Sequence, residues 1–106
     1  MSQPIPEDLV RCRIQIDAID VELLALLNRR TAIVEEIGQI KEKLALGIYE
    51  PKREEQVFAN VLSHNKGPLP QEAVKRIFER IIDEMRTVQK LNMQGQHSGN
   101  EEKKTC

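Results

Sequence analysis

The sequence has few of the residues on which several common kinds of binding site depend. Its 106 residues include no tryptophan, and its only aromatic side chains are those of Tyr49, Phe58 and Phe78. Proteins that bind nucleic acids often stack the bases on aromatic rings and attract the phosphates with a basic surface. The scarcity of rings and a net charge of −1 therefore argue against a nucleic-acid partner, and any cationic site must be local.

Cysteine is equally scarce, and its positions suggest neither a disulfide nor a metal site. Cys12 and Cys106 lie near opposite ends of the chain, and no spacing of Cys and His residues matches a zinc motif. We expect Cys12 to be a small buried residue. We expect Cys106 to be an exposed thiol without a role.

Long apolar runs are also missing. No window approaches the length and apolar character of a membrane span. Residues 1–9 contain no apolar run of the kind found in signal peptides. We therefore expect a cytoplasmic protein without a membrane partner.

Proline and glycine, with five of each, mark the ends of three predicted helices. Proline suits the first turn of a helix, and glycine suits the position just beyond the last turn. Between these markers, apolar residues recur every three or four positions, as in amphipathic helices. The predicted helices are Pro6–Leu46, Pro51 to about Asn65, and Pro70 to about residue 92. Gly47 is expected to end the first of them.

These helices predict an all-α fold with a single domain. The domain covers residues 6–92 and follows a loose N-terminus at residues 1–5. From residue 93 onward the chain is rich in Gly, Gln, Ser, Asn, Glu and Lys. This composition predicts a disordered polar tail at residues 93–106.

The first predicted helix is very long for a chain of this size. About forty helical residues span roughly 60 Å, whereas a compact domain of about 100 residues is only ~35 Å across. The helix must therefore pair with another chain or protrude. Gly38 lies inside it at a cost of about 1 kcal/mol relative to alanine. We interpret Gly38 as a helix-packing position, with close approach of a ligand as the alternative.

Polar side chains interrupt the apolar faces of all three helices. In an antiparallel arrangement they converge in the interior. Arginines suit carboxylates, lysine and glutamine can donate to an ether or hydroxyl oxygen, and glutamate can accept from a ligand hydroxyl. The pattern predicts a pocket for a small dianion. Its candidate residues are Arg13, Arg30 and Lys41 on the first helix, Arg53 and Glu54 on the second, and Gln89 on the third.

A structural explanation stays open for each residue, since long side chains can reach solvent from an apolar face and Arg30 can pair with Glu54. Nucleophilic catalysis is not suggested, because these faces carry no Ser–His or Cys–His pair. His64 and His97 fall in a loop and in the tail, where we expect them to be solvated. With no glycine-rich phosphate loop, the pocket would act by positioning and electrostatics, without metal or cofactor.

Five motifs in order resemble the all-helical class of chorismate mutases, the type II family. The similarity covers roughly Glu7 to Asn92. Each motif is weak alone, but together they cover all three helices. They are RIQIDAID (13–20), LLALLNRR (23–30), EIGQIK (36–41), IYEPKREE (48–55) and IFERIIDEM followed by Gln (77–89).

The resemblance implies an intertwined homodimer of three-helix protomers whose long first helices span both halves. This would solve the length problem of the first helix. It also implies the rearrangement of chorismate to prephenate in phenylalanine and tyrosine biosynthesis. That step is concerted and uses no covalent intermediate, metal or cofactor.

The resemblance also implies roles for the polar residues. Lys41 and Gln89 would donate to the ether oxygen, where negative charge grows as the bond breaks. Arg30 would share the catalytic role and, with Arg53, bind carboxylates within one protomer. Arg13 would reach into the site of the partner subunit.

Three further positions follow from the same resemblance. Glu54 would accept a hydrogen bond from the ring hydroxyl, and Glu50 would line the same region through its backbone. Met85 stands where relatives often have serine, near a substrate carboxylate. Because a thioether cannot donate a hydrogen bond, we expect Met85 to weaken substrate binding.

Three other functions stay open. The same fold can host an isochorismate pyruvate lyase, which also acts on an enolpyruvyl ether. The chain can instead be a non-catalytic regulatory module of an aromatic-pathway enzyme, with which it would associate. The third is a plain helical dimerisation module. It is the least favoured of the three, because it does not explain the arginines and the lysine on apolar helix faces.

Overall fold

The computed structural model describes residues 4–97, and these form three helices: α1 (Glu7–Lys43), α2 (Pro51–His64) and α3 (Gln71–His97). No strand occurs within the described range, and the all-α prediction is confirmed. None of its helices combines the length and the apolar character needed to cross a membrane.

Helix α1 begins at Glu7, one residue after the predicted start at Pro6, and ends at Lys43, three residues before the predicted Leu46. The carbonyl of Pro6 accepts from the N–H groups of Leu9 and Val10, both at 3.1 Å. At the other end, Ala45 has a φ of 56°, and Leu46 N–H donates to the carbonyl of Lys41 at 2.8 Å. This is the hydrogen-bonding pattern of a Schellman motif. Ala45 therefore ends the helix, and the prediction that Gly47 does so is wrong.

Helix α2 matches its predicted bounds to within one residue. Pro51 occupies the first turn, where its missing N–H costs no hydrogen bond. Beyond His64, the side chain of Asn65 organises the connection to α3. Its Nδ2 donates to the carbonyl of Leu69 at 2.8 Å, and its Oδ1 accepts from Gly67 N–H at 3.0 Å.

Helix α3 runs further than expected. It extends to His97, so the tail predicted from residue 93 begins inside a helix, and His97 is helical. The remainder of that predicted tail, residues 98–106 with Cys106, lies outside the described residues, as do residues 1–3.

The chain divides into two compact units, the first ending at Ala32 and the second beginning at Ile33. The first contains the N-terminal part of α1, and its large apolar side chains are exposed except that of Leu27, which is half-buried. Cys12 is also exposed, contrary to the expectation of burial. The exposed apolar residues of this unit's helix are Leu9, Val10, Ile14, Ile16, Ile19, Val21, Leu23, Leu24 and Leu26.

The second unit contains the last turns of α1 together with α2 and α3. Helices α2 and α3 pack against each other, and Val74 and Ile82 of α3 are its buried apolar residues among those described. Two polar side chains, those of Lys41 and Gln89, are buried as deeply as this core. The second unit therefore contains most of the predicted site.

Candidate functional site

Lys41 is a buried cation whose charge is compensated by the connection between α1 and α2. It lies in the last turn of α1 and is only 8% exposed. Its Nζ donates to the carbonyl of Ile48 at 3.1 Å and pairs with the carboxylate of Glu50 at 2.5 Å. A buried ammonium needs such partners. The structure therefore brings together two predicted site residues, Lys41 and Glu50, and adds a backbone carbonyl.

Gln89 is the second buried polar side chain, at 7% exposure. Its Nε2 donates to the carbonyl of Val34 at 3.3 Å, which ties α3 to the end of α1. A Cβ added to Gly38 would lie 3.6 Å from Cγ of Gln89. Gly38 thus lies in the contact between the two helices, as the helix-packing interpretation predicts.

Glu54 has a partner that the sequence analysis did not single out. Its side chain is 23% exposed, and its Oε2 lies 3.4 Å from Nε of Arg86 on α3. A signal for Arg86 was present in the sequence. Arg86 follows Ile82 by four positions and precedes Gln89 by three, so it shares their helix face.

Arg86 contacts three different segments with one guanidinium group. Besides Glu54 on α2, its Nη2 pairs with Asp83 of its own helix at 2.6 Å. Its Cζ lies 5.6 Å from the centroid of the Tyr49 ring, within the range of a cation–π interaction. Its Nε is shielded from solvent and has no hydrogen-bond partner, since the contact with Glu54 is an ion pair without hydrogen-bonding geometry.

The remaining predicted residues lie outside these groups. Arg53 is exposed, and its Nη1 donates to Oε1 of Gln56 at 3.4 Å on the surface of α2. Met85 is half-buried on α3. Arg13 is exposed and Arg30 half-buried, both on the part of α1 that forms the first unit.

His64 is exposed, as expected, but it is the last residue of α2 and does not lie in a loop. Its Nδ1 lies 2.7 Å from the carbonyl oxygen of Asn60. Among residues 4–97, no three His, Cys, Asp or Glu side chains are arranged to hold a metal ion.

Two cavities of the second unit differ from the predicted pocket in their chemistry. One, of about 160 Å³, lies beside Gln89 and Gly38 and is flanked by the acidic residues Glu35 and Glu42. The other, of about 290 Å³, lies between α2 and α3 and is lined mainly by apolar side chains, including Val74 and Phe78. Neither lining contains an arginine or a lysine, so neither suits a dianion.

The family model described as chorismate mutase type II matches residues 12–90. A bifunctional chorismate mutase/prephenate dehydratase of Neisseria gonorrhoeae is 42% identical over 90 residues, which are 85% of this chain and 24% of the relative. The chain thus spans about a quarter of that relative's length.

Solved structures of similar proteins agree with the sequence match. A chorismate mutase from Thermus thermophilus superimposes with a TM-score of 0.78 at 33% identity, covering 79% of this chain and 96% of the other. A chorismate mutase from Helicobacter pylori, in complex with prephenate, also gives a TM-score of 0.78, at 28% identity, covering 84% of this chain and 97% of the other.

Proposed function

Because the chain belongs to the chorismate mutase type II family, we propose that it catalyses the rearrangement of chorismate to prephenate. The observation that carries this proposal is the burial of Lys41 and Gln89. They are the only buried polar side chains among the described residues. They are also the two residues that the family resemblance assigns to the substrate's ether oxygen.

Hydrogen-bond counting supports this role for both residues. A lysine ammonium has three donors, and Lys41 directs donors to Ile48 and Glu50, which leaves one for a ligand. A glutamine amide has two N–H donors, and one of those on Gln89 serves the carbonyl of Val34. Each side chain is thus fixed by the protein and retains a donor for the ether oxygen.

The energies required are within reach of such a site. A rate gain of 10⁶ corresponds to about 8 kcal/mol, and a hydrogen bond to a charged group contributes roughly 1.5–3 kcal/mol. Two donors that strengthen as charge develops, together with holding the substrate in its compact reactive form, can reach that sum. The fixed surroundings of Lys41 and Gln89 favour this because little reorganisation is needed during the reaction.

Substrate binding is assigned to the arginines as part of the same proposal. Arg30 and Arg53 would bind the two carboxylates of chorismate, and Glu54 would accept from its ring hydroxyl. Arg13 of the partner subunit would complete the site. Met85, half-buried on α3, would contribute contact area without a donated hydrogen bond, so we expect a higher KM than a serine would give.

A homodimer is the assembly that these assignments require. The exposed apolar side chains of the first unit support it, because a large apolar surface left in solvent marks a site of protein–protein contact. The Neisseria gonorrhoeae relative is named for both chorismate mutase and prephenate dehydratase. We therefore also propose an association with an enzyme that consumes prephenate.

The test is an assay of chorismate consumption with identification of the product. Wild-type protein should form prephenate, and Lys41→Ala should lower kcat by about 10²–10³, the loss measured when one transition-state donor is removed. Lys43→Ala is the matched control, since Lys43 is an exposed lysine in the same turn. Pyruvate release would support the lyase instead, and near-normal turnover by folded Lys41→Ala would contradict the role of Lys41.

A further inference from the structure

Glu54 has a task in the proposed function that its side chain cannot perform alone. Its carboxylate must meet the ring hydroxyl of chorismate in one orientation, yet a glutamate side chain rotates about three bonds. Glu54 is 23% exposed, so the surrounding protein does not fully enclose its side chain. Something on the protein has to fix the carboxylate, and Arg86 is the cation beside it.

The guanidinium of Arg86 is held from two other sides. Asp83, one turn earlier on α3, accepts from Nη2 at 2.6 Å, and the Tyr49 ring lies 5.6 Å from Cζ. Guanidinium is planar and always charged, so contacts on its edge and face fix its orientation. The remaining edge, with Nε, is then directed toward Glu54.

The contact between Arg86 and Glu54 is incomplete in this state of the chain. The Nε–Oε2 distance of 3.4 Å exceeds the usual N–H···O range of about 2.7–3.2 Å. Nε is at the same time shielded from solvent and without a hydrogen-bond partner. Native proteins seldom leave a buried donor in this condition. A small shift of the Glu54 carboxylate toward Nε would complete the bond, and the other carboxylate oxygen can still accept from a ligand.

We propose that Arg86 is a positioning residue for Glu54. Anchored by Asp83 and Tyr49, it fixes the Glu54 carboxylate so that one oxygen faces the ring hydroxyl of chorismate. This inference rests on the proposed function, because it requires Glu54 to contact that hydroxyl. Arg86 acts through Glu54 and does not touch the reacting atoms.

The matched control lies on the same helix. Arg80 also pairs with a carboxylate, that of Glu84 at 2.9 Å, but its side chain is 77% exposed and the pair lies within one turn of α3. Exposed pairs of this kind contribute little. Arg80→Met removes the same charge from the same helix without affecting Glu54.

The experiment is a double-mutant cycle with Arg86→Met, Glu54→Gln and the double variant, assayed on chorismate beside wild type and Arg80→Met. We expect Arg86→Met to lower kcat/KM about tenfold, mainly by raising KM, because the hydroxyl is bound in both the ground and transition states. In the Glu54→Gln background, Arg86→Met should have almost no further effect. Arg80→Met should match wild type.

Two results would overturn the inference while wild-type turnover leaves the proposed function intact. One is an Arg86→Met protein with wild-type kcat/KM. The other is additive losses in the cycle, which would show that Arg86 acts independently of Glu54. Absence of turnover by folded wild-type dimer would overturn the proposed function, and the inference with it.

Stability must be separated from positioning, because Arg86 contacts α2 and the connection before it. Thermal unfolding of each variant identifies any loss of fold. If Arg86→Met does not fold, Arg86→Lys replaces it in the cycle, since lysine keeps the charge without the planar donor set. Where both variants fold, Arg86→Lys should retain part of the kcat/KM that Arg86→Met loses, because its charge still attracts the Glu54 carboxylate. Equal losses for the two folded variants would contradict an electrostatic positioning of Glu54 by Arg86.

Discussion

The two units of the chain differ in which side chains they bury, and each departs from an ordinary protein fold. Both units expose large apolar side chains, but no described residue of the first is buried, whereas the second buries a lysine and a glutamine in its core. Exposed apolar stripes call for a partner surface, and buried polar groups call for hydrogen-bond partners or a ligand. The proposed function accordingly assigns assembly mainly to the first unit and the two ether-oxygen donors to the second.

The largest effect is expected from placing a charge on the apolar stripe of the first unit. Ile16 is 56% exposed in the chain, and Ile16→Asp would bury an unpaired carboxylate twice in a two-fold dimer. At about 2 kcal/mol per copy, dimerisation should weaken about a thousandfold. Sedimentation analysis measures the dimer dissociation constant of the variant. Gln15→Asp is the control, because it adds the same charge at the neighbouring exposed polar position. A dimer of unchanged affinity would remove the assembly role from this face.

A smaller effect is expected from changing a donor of the second unit into an acceptor. In Gln89→Glu, an ionised carboxylate cannot donate to the ether oxygen, so kcat near neutral pH should fall about a hundredfold. As the pH is lowered, the acid gains a proton that it can donate, and activity should rise. A pH–rate profile of the folded variant that stays flat would show that Gln89 is not a donor to the substrate.

The smallest effect is expected at the end of α1 and separates stability from activity. Ala45 adopts a φ of 56°, which costs a residue with a Cβ roughly 1 kcal/mol more than glycine. Ala45→Gly should therefore raise the free energy of unfolding by about 0.5–1 kcal/mol without changing kcat. Thermal unfolding measures the change in stability, and the turnover assay measures kcat. A destabilised Ala45→Gly protein would mean that the end of α1 does not depend on the positive φ at residue 45.

Helix order and number follow from proline and glycine positions, but the ends of the helices do not. Pro51 marks the start of α2 because its ring suits a first turn. Ala45 could not be identified as a helix end, since alanine is the best helix former and its left-handed conformation is imposed by the following connection. Likewise, the polar composition after residue 92 does not prevent α3 from reaching His97, because Gln, Asn and Met are tolerated in helices.

For the site, the sequence indicates which side chains are out of place but not how they are paired. Lys41 and Gln89 interrupt apolar stripes, and both are buried in the structure. The sequence offers Arg30 as a structural partner of Glu54, and the structure places Arg86 beside Glu54. Such pairing depends on side-chain directions across helices, which periodicity does not specify. The proposed roles of these residues rest on the family resemblance, not on their spacing.

Lys41 and Gln89 also differ in how far along the chain each residue lies from its hydrogen-bond partner. Lys41 is tied to a carbonyl seven residues away, whereas Gln89 is tied to one 55 residues away. Local contacts close small loops and form early, whereas distant ones wait for the helices to dock. Hydrogen exchange would accordingly find the surroundings of Gln89 opening whenever α3 detaches, while those of Lys41 stay closed. In the proposed function, which places Gln89 at the substrate, turnover would then report the docking of α3 more directly than the folding of α1.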